Sequence, residues 1–344
     1  MPHAATNTWS LGGLPLATRA VLAPMAGYTD LPFRRLVRSF GGVGLAFSEM
    51  VNPDSILRGR SRKVSALVAT APDDRPLGWQ IYGTNPGLLA EAAQWFEARG
   101  AELVDINMGC PQKKICSRGA GAALMKTPDL AVEIARRVVE SVKIPVTVKI
   151  RLGWNAPDAA VDLARGLEAA GAAALTVHGR TRAQRFSGTV DLDGIRQVAE
   201  AVRVPVIANG DVFTLAAARE MLDRTGASAL MIGRHTFSEP WFLRDVARDL
   251  AGEPPLPTPA FAERIAMMRR LYADHLSLYG ERFGVSLFRR WIPRFAKGMG
   301  VPRPMMIAFL QAVTPAEWEE GMAAVEQWAA AEGRGCSLER APRV

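Results

Sequence analysis

The feature that most constrains this chain is a rhythm. Between Ala20 and about Leu250, eight short β-rich runs alternate with longer amphipathic stretches. The runs are residues 20–24, 44–49, 77–82, 103–107, 146–150, 174–178, 206–209 and 229–232. Helical patterns at 86–98, 128–142, 159–170 and 215–225 fall between most of them. A helix between consecutive strands carries the chain back to the same edge, so the strands pair in parallel. Eight such units within ~250 residues are what a TIM (β/α)8 barrel requires. The predicted fold is therefore α/β, a TIM barrel. A doubly wound open sheet is the rival, and it ranks lower because no Gly-x-Gly-x-x-Gly follows the first run.

Past the barrel the pattern changes. Residues 252–259 hold four prolines among a few small residues and read as a linker. Beyond them the periodicity is helical only. Phe261, Ile265, Met268, Tyr272, Leu276 and Tyr279 share one face, and further helical runs are expected around 287–297, 304–313 and 315–331. The expected organisation is a catalytic barrel over 1–251, the linker, an all-helical domain over 260–332 and a flexible tail over 333–344.

Charge is distributed unevenly along this second part. Residues 264–303 carry nine Lys/Arg against two acids, whereas residues 304–344 carry three Arg against six Glu. A basic block on a chain of net charge +8 favours a polyanion, because phosphate contacts release counterions. A solvated helix face is the alternative. With 49% apolar residues the chain can bury a large core. Four histidines and three cysteines are too scattered for a zinc cluster, so no metal is expected. Cys110 and Cys116 lie six apart and Cys336 stands alone, which argues against a disulfide framework and for a reducing, cytoplasmic setting. The N-terminus lacks a basic segment followed by a long apolar run, so no signal peptide is expected. No stretch reaches the ~20 apolar residues a membrane helix needs. Nothing calls for an oligomer, and a monomer is expected.

In a barrel, function lies at the C-terminal ends of the strands. The first run ends in Ala23-Pro-Met-Ala-Gly27, small residues against which a planar ligand can lie. The third supplies Gln80, and the fourth supplies Asn107 and then Cys110 in a polar, glycine-containing turn. The fifth supplies Lys149 and Arg151, and the sixth His178, Gly179 and Arg180. The seventh supplies Asn209, Gly210 and Asp211, and the eighth Gly233 and Arg234. Singly, each is ordinarily a solvated cap, a structural histidine or an inert thiol. Six or more polar residues converging on one rim are different, because each desolvated polar group needs a partner and a shared ligand supplies it.

The residue types narrow that ligand. A flavin needs hydrogen bonds along its pyrimidine edge and a cation near its reduced ring, roles that Gln80 and Lys149 suit. A phosphate tail needs backbone amides and a cation, which 209–211 with Gly233 and Arg234 can supply. Cys110 then faces whatever lies on the flavin. At an ordinary thiol pKa of about 8.5 it is a general acid. It is a nucleophile if Lys113 or Lys114 depresses that value.

These residues resemble the tRNA-dihydrouridine synthase family. The resemblance is carried by Ala23-Pro-Met-Ala-Gly-Tyr-Thr-Asp30, Phe47-Ser-Glu-Met50, Gln80-Ile-Tyr-Gly83, Asp105-Ile-Asn-Met-Gly-Cys-Pro111 and Gly119-Ala-Gly121. Val148-Lys-Ile-Arg151, Val177-His-Gly-Arg-Thr-Arg182, Ala208-Asn-Gly-Asp211 and Ile232-Gly-Arg234 continue it in family order, over roughly residues 20 to 250. The lysines after Cys110 look most like the bacterial B-type branch. The resemblance implies an FMN-bound barrel, NADPH or NADH as reductant, and a helical domain that grips tRNA. It implies hydride delivery to C6 of a uridine in the D-loop region, with Cys110 protonating C5. Pro24, Met25 and Ala26 are then expected at the isoalloxazine, and His178 near the ring or phosphate. Asn107 and Arg180 or Arg182 are expected near the uracil. Lys114, Arg289, Arg290, Arg294 and Lys297 are the expected tRNA contacts. B-type members often carry an Arg-Lys-His run where this chain has Phe288-Arg-Arg-Trp291. Two other readings stay open: a flavin barrel acting on a free pyrimidine, as dihydroorotate dehydrogenases do, and a non-catalytic RNA-binding protein.

Overall fold

The computed structural model describes residues 8–59 and 62–333, apart from the side chains at 62, 63 and 297. The expected tail falls, from residue 334 on, outside the described residues, as do Cys336 and the side chain of Lys297. Chain contacts divide the protein into two compact units. One runs to His235 and resumes from Trp241 to Pro255; the other comprises Thr236–Pro240 and everything from Leu256 on.

The first unit opens with a hairpin, β1 (Trp9–Leu11) and β2 (Leu14–Leu16). Eight parallel strands then close into a barrel: β3 (Ala20–Leu22), β4 (Leu45–Phe47), β5 (Leu77–Ile81), β6 (Leu103–Asn107), β7 (Val146–Arg151), β8 (Ala174–His178), β9 (Val206–Asn209) and β10 (Ala229–Ile232). Each strand pairs with its sequence neighbours, and β10 closes on β3. Helices Pro86–Glu97, Pro128–Ser141, Ala160–Ala169, Leu192–Ala201, Leu215–Thr225 and Phe242–Leu250 follow their strands. This is the expected TIM barrel.

The barrel interior is graded along its axis. Val21, Leu45, Leu103, Ala174, Ile207 and Ala229 form one buried cluster that also takes in Leu11 and Leu16 of the hairpin. The hairpin therefore packs on the N-terminal ends of the strands. Gly78 belongs to the same lining: a Cβ there would meet the Phe47 ring at 2.4 Å, so only glycine fits. Alternate residues of a strand share a face. Asp105 and Asn107 thus face the same interior as Leu103, and Thr176 and His178 the same interior as Ala174. Register sets Gln80 beside Asp105, Asp105 beside Thr147, Asn107 beside Lys149, and His178 beside Asn209. The inner face is apolar at one end and polar at the other.

The second unit is helical: Phe261–Tyr279, Glu281–Phe288, Ile292–Met299, Arg303–Gln311 and Pro315–Ala331. Tyr272 and Trp318 stack at 3.7 Å in its centre, with Phe288 and Phe309 against Trp318. The last helix starts on a capping box, Thr314 with Glu317. The single run expected around 287–297 is two helices with a turn over 289–291. Pro293 explains the break, since it has no N–H to donate to the carbonyl of residue 289 and its ring crowds that carbonyl.

Candidate active site at the C-terminal rim of the barrel

A continuous line of hydrogen bonds climbs from the barrel interior to Cys110. Asp105 is fully buried and accepts from Thr147 Oγ1 at 2.6 Å and from Gln80 Nε2 at 2.7 Å. Burial raises its carboxyl to about 6, although those two bonds and Lys149 pull the other way. Gln80 Oε1 accepts from Asn107 Nδ2 at 2.8 Å. Asn107 Oδ1 then accepts the backbone N–H of Gly109 at 3.1 Å and of Cys110 at 2.9 Å. The backbone of the Cys110 turn is thus held by Asn107, which Gln80, Asp105 and Thr147 of three neighbouring strands support in series. Its carbonyl accepts from Ala122 N at 3.0 Å and from Cys116 Sγ at 3.3 Å. Burial pushes the Cys110 thiol up, against weaker opposing effects from the Gln112 backbone, Arg151 and Lys149. The sequence left acid and nucleophile both open; burial in the structure favours the protonated thiol.

Cations surround this thiol under unusual constraint. Lys149 Nζ donates to Asn209 Oδ1 at 2.8 Å, and Asn209 Nδ2 donates to the Met231 carbonyl at 2.8 Å. Desolvation, with Arg151 adding repulsion, lowers the Lys149 ammonium to about 7. Arg151 donates to the carbonyls of Gly109 (2.8 Å), Thr181 (2.9 Å) and Arg185 (2.8 Å), tying the loop after β6 to the loop after β8. His178 is buried, and desolvation followed by repulsion from Lys149, Arg151, Arg180 and Arg234 keeps its imidazole neutral. Its Nδ1 has no hydrogen-bond partner, and neither do Thr176 Oγ1, Arg180 Nη1 and Arg182 Nε. Buried polar atoms are rarely left so, and these four all lie on β8 and the loop after it.

The remaining rim residues divide into backbone and charge. Gly210 turns at φ 135° and Asp211 at φ 46°, so the chain after β9 bends sharply. A Cβ on Gly210 would meet the Val190 side chain at 2.8 Å. The Asp211 carboxylate lies between two guanidiniums, Arg180 and, at 2.7 Å, Arg234. Those pairs outweigh its desolvation and hold its carboxyl below the usual range. Only its backbone is left to face an anion. Arg180 is 1% exposed and also donates to the carbonyls of Ser187 (3.0 Å) and Gly188 (2.5 Å). Its contacts are those of a clamp on the 187–188 loop. Arg234 is exposed, with Phe186 at 4.8 Å and Phe213 at 5.9 Å.

On the opposite side of the closure, Pro24 and Met25 are partly exposed and Ala26 is exposed. Met25 N donates to Thr29 Oγ1 at 2.9 Å, and Gly27 N donates to Glu49 Oε2 at 2.5 Å. A Cβ on Gly233 would lie 3.2 Å from Met25 Sδ, which brings these two predicted residues together. Lys114 is exposed on the short helix Lys113–Cys116 just after Cys110. Arg182 lies over the Trp154 ring at 4.4 Å.

The other predicted tRNA contacts belong to the helical unit. Arg289 and Arg290 are half-buried in the turn over 289–291, and Arg294 is exposed with Phe237 at 5.3 Å. The basic block offers less free charge than its composition suggests. Arg264 is buried against the carbonyls of Pro259 and Gly298, and Arg269 is ion-paired with Glu319 and Glu326. Sequence reasoning left Asp105, Thr147, Thr176, Glu49 and Trp154 without roles. A signal was available for three of them, since buried strands with polar residues two apart (105 and 107, 147 and 149, 176 and 178) present a polar inner face.

A parallel barrel whose C-terminal rim gathers a thiol raised by burial, a desolvated lysine and unpaired buried polar atoms is an enzyme barrel. The family model for dihydrouridine synthases (Dus) matches residues 21–325. A probable tRNA-dihydrouridine synthase of Rickettsia conorii is 40% identical over 294 residues, covering 84% of this chain and 87% of the relative. The tRNA-dihydrouridine synthase B of Xanthomonas campestris is 41% identical over 321 residues, covering 92% of this chain and 93% of the relative. That of Pseudomonas aeruginosa is 41% identical over 283 residues, covering 82% and 85%. The chain belongs to the dihydrouridine synthase family. Among solved structures, a 2-naphthoyl-CoA reductase complex superposes with a TM-score of 0.55 at 13% identity, covering 74% of this chain and 53% of that one. At that identity it shares the fold alone.

Proposed function

We propose that this protein reduces the C5=C6 bond of uridine in tRNA, with FMN as cofactor and NADPH or NADH as reductant. The observation that carries the reading is Cys110, whose backbone N–H Asn107 fixes at a rim where buried atoms of Thr176, His178, Arg180 and Arg182 have no partner, and whose burial favours the protonated thiol. That rim fits a flavin. Lys149 suits its pyrimidine edge, with Gln80 bracing it from beneath because both ends of its amide are engaged by Asp105 and Asn107. Pro24, Met25 and Ala26 suit its ring face, and His178 Nδ1, the backbone of Asn209, Gly210 and Asp211, and Gly233 with Arg234 suit its ribityl-phosphate. Bound there, FMN supplies the hydride for C6. The chain's own residues do the rest. Reduction at C6 leaves enolate-like charge beside C4, which must be quenched by a proton at C5. Cys110 Sγ holds that proton, and its raised pKa keeps it there at neutral pH. Asn107 suits the uracil edge, and Arg182, held on the Trp154 ring, suits a phosphate instead. The target base must leave its stack to lie flat in the site; Lys114 suits a phosphate near it, and Arg289, Arg290 and Arg294 of the helical unit suit phosphates of the tRNA. The Cys110→Ala variant should retain FMN yet form no dihydrouridine on unmodified tRNA, as read by position-mapped analysis. Normal turnover in that variant would refute the assignment.

A further inference from the structure

A second cationic cavity lies one short helix away from Cys110. Its volume is about 410 Å³, and Lys113, Lys126, Arg182, Trp154, Thr84 and Ser117 are among its lining residues. Three side chains in the lining carry positive charge, and no carboxylate does. Among the described residues none of the three has an acidic partner, although ion pairs are common elsewhere on this barrel. Lys126 and Arg182 both lie on the Trp154 ring, at 5.2 and 4.4 Å. The ring thus serves the cations, so the cavity suits an anion better than a stacked base. Thr127 and Leu130, at the start of the helix Pro128–Ser141, also line the cavity, and no side chain caps that helix. Pro128 brings no N–H there and Asp129 stands in the same first turn, so the cavity's positive charge is that of its three side chains. An isolated run of lysines is ordinarily a solvated face. Here the charges converge on one concavity, walled by an indole and a helix start.

We propose that this cavity is a phosphate subsite, taking a backbone phosphate of the tRNA strand beside the base that enters the site. The proposal rests on the tRNA reading above. The same chemistry would accept the 2′-phosphate of a dinucleotide reductant, so the test must separate the two sources. Labelled unmodified tRNA is titrated by fluorescence anisotropy against wild-type protein and the Lys113→Ala/Lys126→Ala double variant, over a range of salt. Two lost phosphate contacts should flatten the log–log salt slope by roughly 1.5 to 2 and weaken binding about tenfold or more at low salt. The Lys113→Arg/Lys126→Arg variant, which keeps the charge, should restore the slope. If tRNA binding is untouched while KM rises for NADPH but not for NADH, the phosphate comes from the dinucleotide. If slope, affinity and both KM values match wild type, the subsite is refuted, and a misfolded variant is recognised by its altered circular dichroism. Wild-type protein that binds tRNA with this salt dependence but forms no dihydrouridine would sink the functional reading and leave the subsite standing.

Discussion

Lys149→Met should make the unliganded protein more stable at pH 6 while removing its activity. The reasoning starts from desolvation, which lowers the Lys149 ammonium from 10.5 to about 7. Below pH 7 both folded and unfolded chains carry the charge, and the folded chain bears the full penalty of holding it in the barrel. Between about 7 and 10.5 the unfolded chain binds a proton that the folded chain does not, so stability rises with pH. Above 10.5 both forms are neutral and the penalty is gone. Each pH unit is worth about 1.4 kcal/mol, which puts the ceiling near 5 kcal/mol. Two effects reduce it. The methionine forfeits the bond from Lys149 Nζ to Asn209 Oδ1, about 1 to 2 kcal/mol. Asp105, whose carboxyl Lys149 holds down, becomes harder to ionise. A net gain of roughly 2 kcal/mol at pH 6 remains, shrinking toward zero or below by pH 10. Urea unfolding of cofactor-free wild type and variant at pH 6, 8 and 10 measures it directly. A variant less stable than wild type at pH 6, or a difference independent of pH, would refute the claim that this lysine is held at a cost in stability.

Other residues give further tests. Asn107→Ala leaves the N–H groups of Gly109 and Cys110 without their acceptor and should slow turnover well over tenfold; an unchanged kcat with a changed KM would show that the turn needs no such support. Because burial raises Cys110, its alkylation by iodoacetamide in a Cys116→Ala/Cys336→Ala background should accelerate only above the ordinary thiol value of about 8.5, and a midpoint near neutrality would mean that the thiolate, not the thiol, is the resting form. Arg34 donates to Asp74, Thr29 O and Ala69 O, and its removal leaves the buried Asp74 carboxylate with only the longer contacts from Arg38 at 3.3 Å and Thr70 at 3.4 Å. Arg34→Ala should therefore lower stability by somewhat less than the roughly 3 to 5 kcal/mol of a fully unpaired buried charge, read as a lower urea midpoint, and a loss under about 1 kcal/mol would contradict a buried, mutually dependent pair.

The sequence by itself determined the barrel and the identity of its rim. Strand runs, intervening helices and the turns after each strand are local signals, because periodicity and turn chemistry are properties of neighbouring residues. That is why all eight strands, the helix Phe261–Tyr279 and the helix Pro315–Ala331 could be read in advance. The hairpin Trp9–Leu16 was not, since it stands outside the strand–helix alternation that reveals barrel strands just as short, Ala20–Leu22 and Leu45–Phe47. Nor could a count of basic residues show that Arg264 is buried and Arg269 paired, because that depends on helices brought together from different parts of the chain. Protonation was likewise decided only in three dimensions. The partners of Asp105 lie 42 and 25 residues away, and the partner of Lys149 lies 60 away. The sequence placed a thiol, a lysine and a histidine on one rim. Burial and strand register then raised the thiol, lowered the lysine ammonium to about 7 and left the imidazole uncharged.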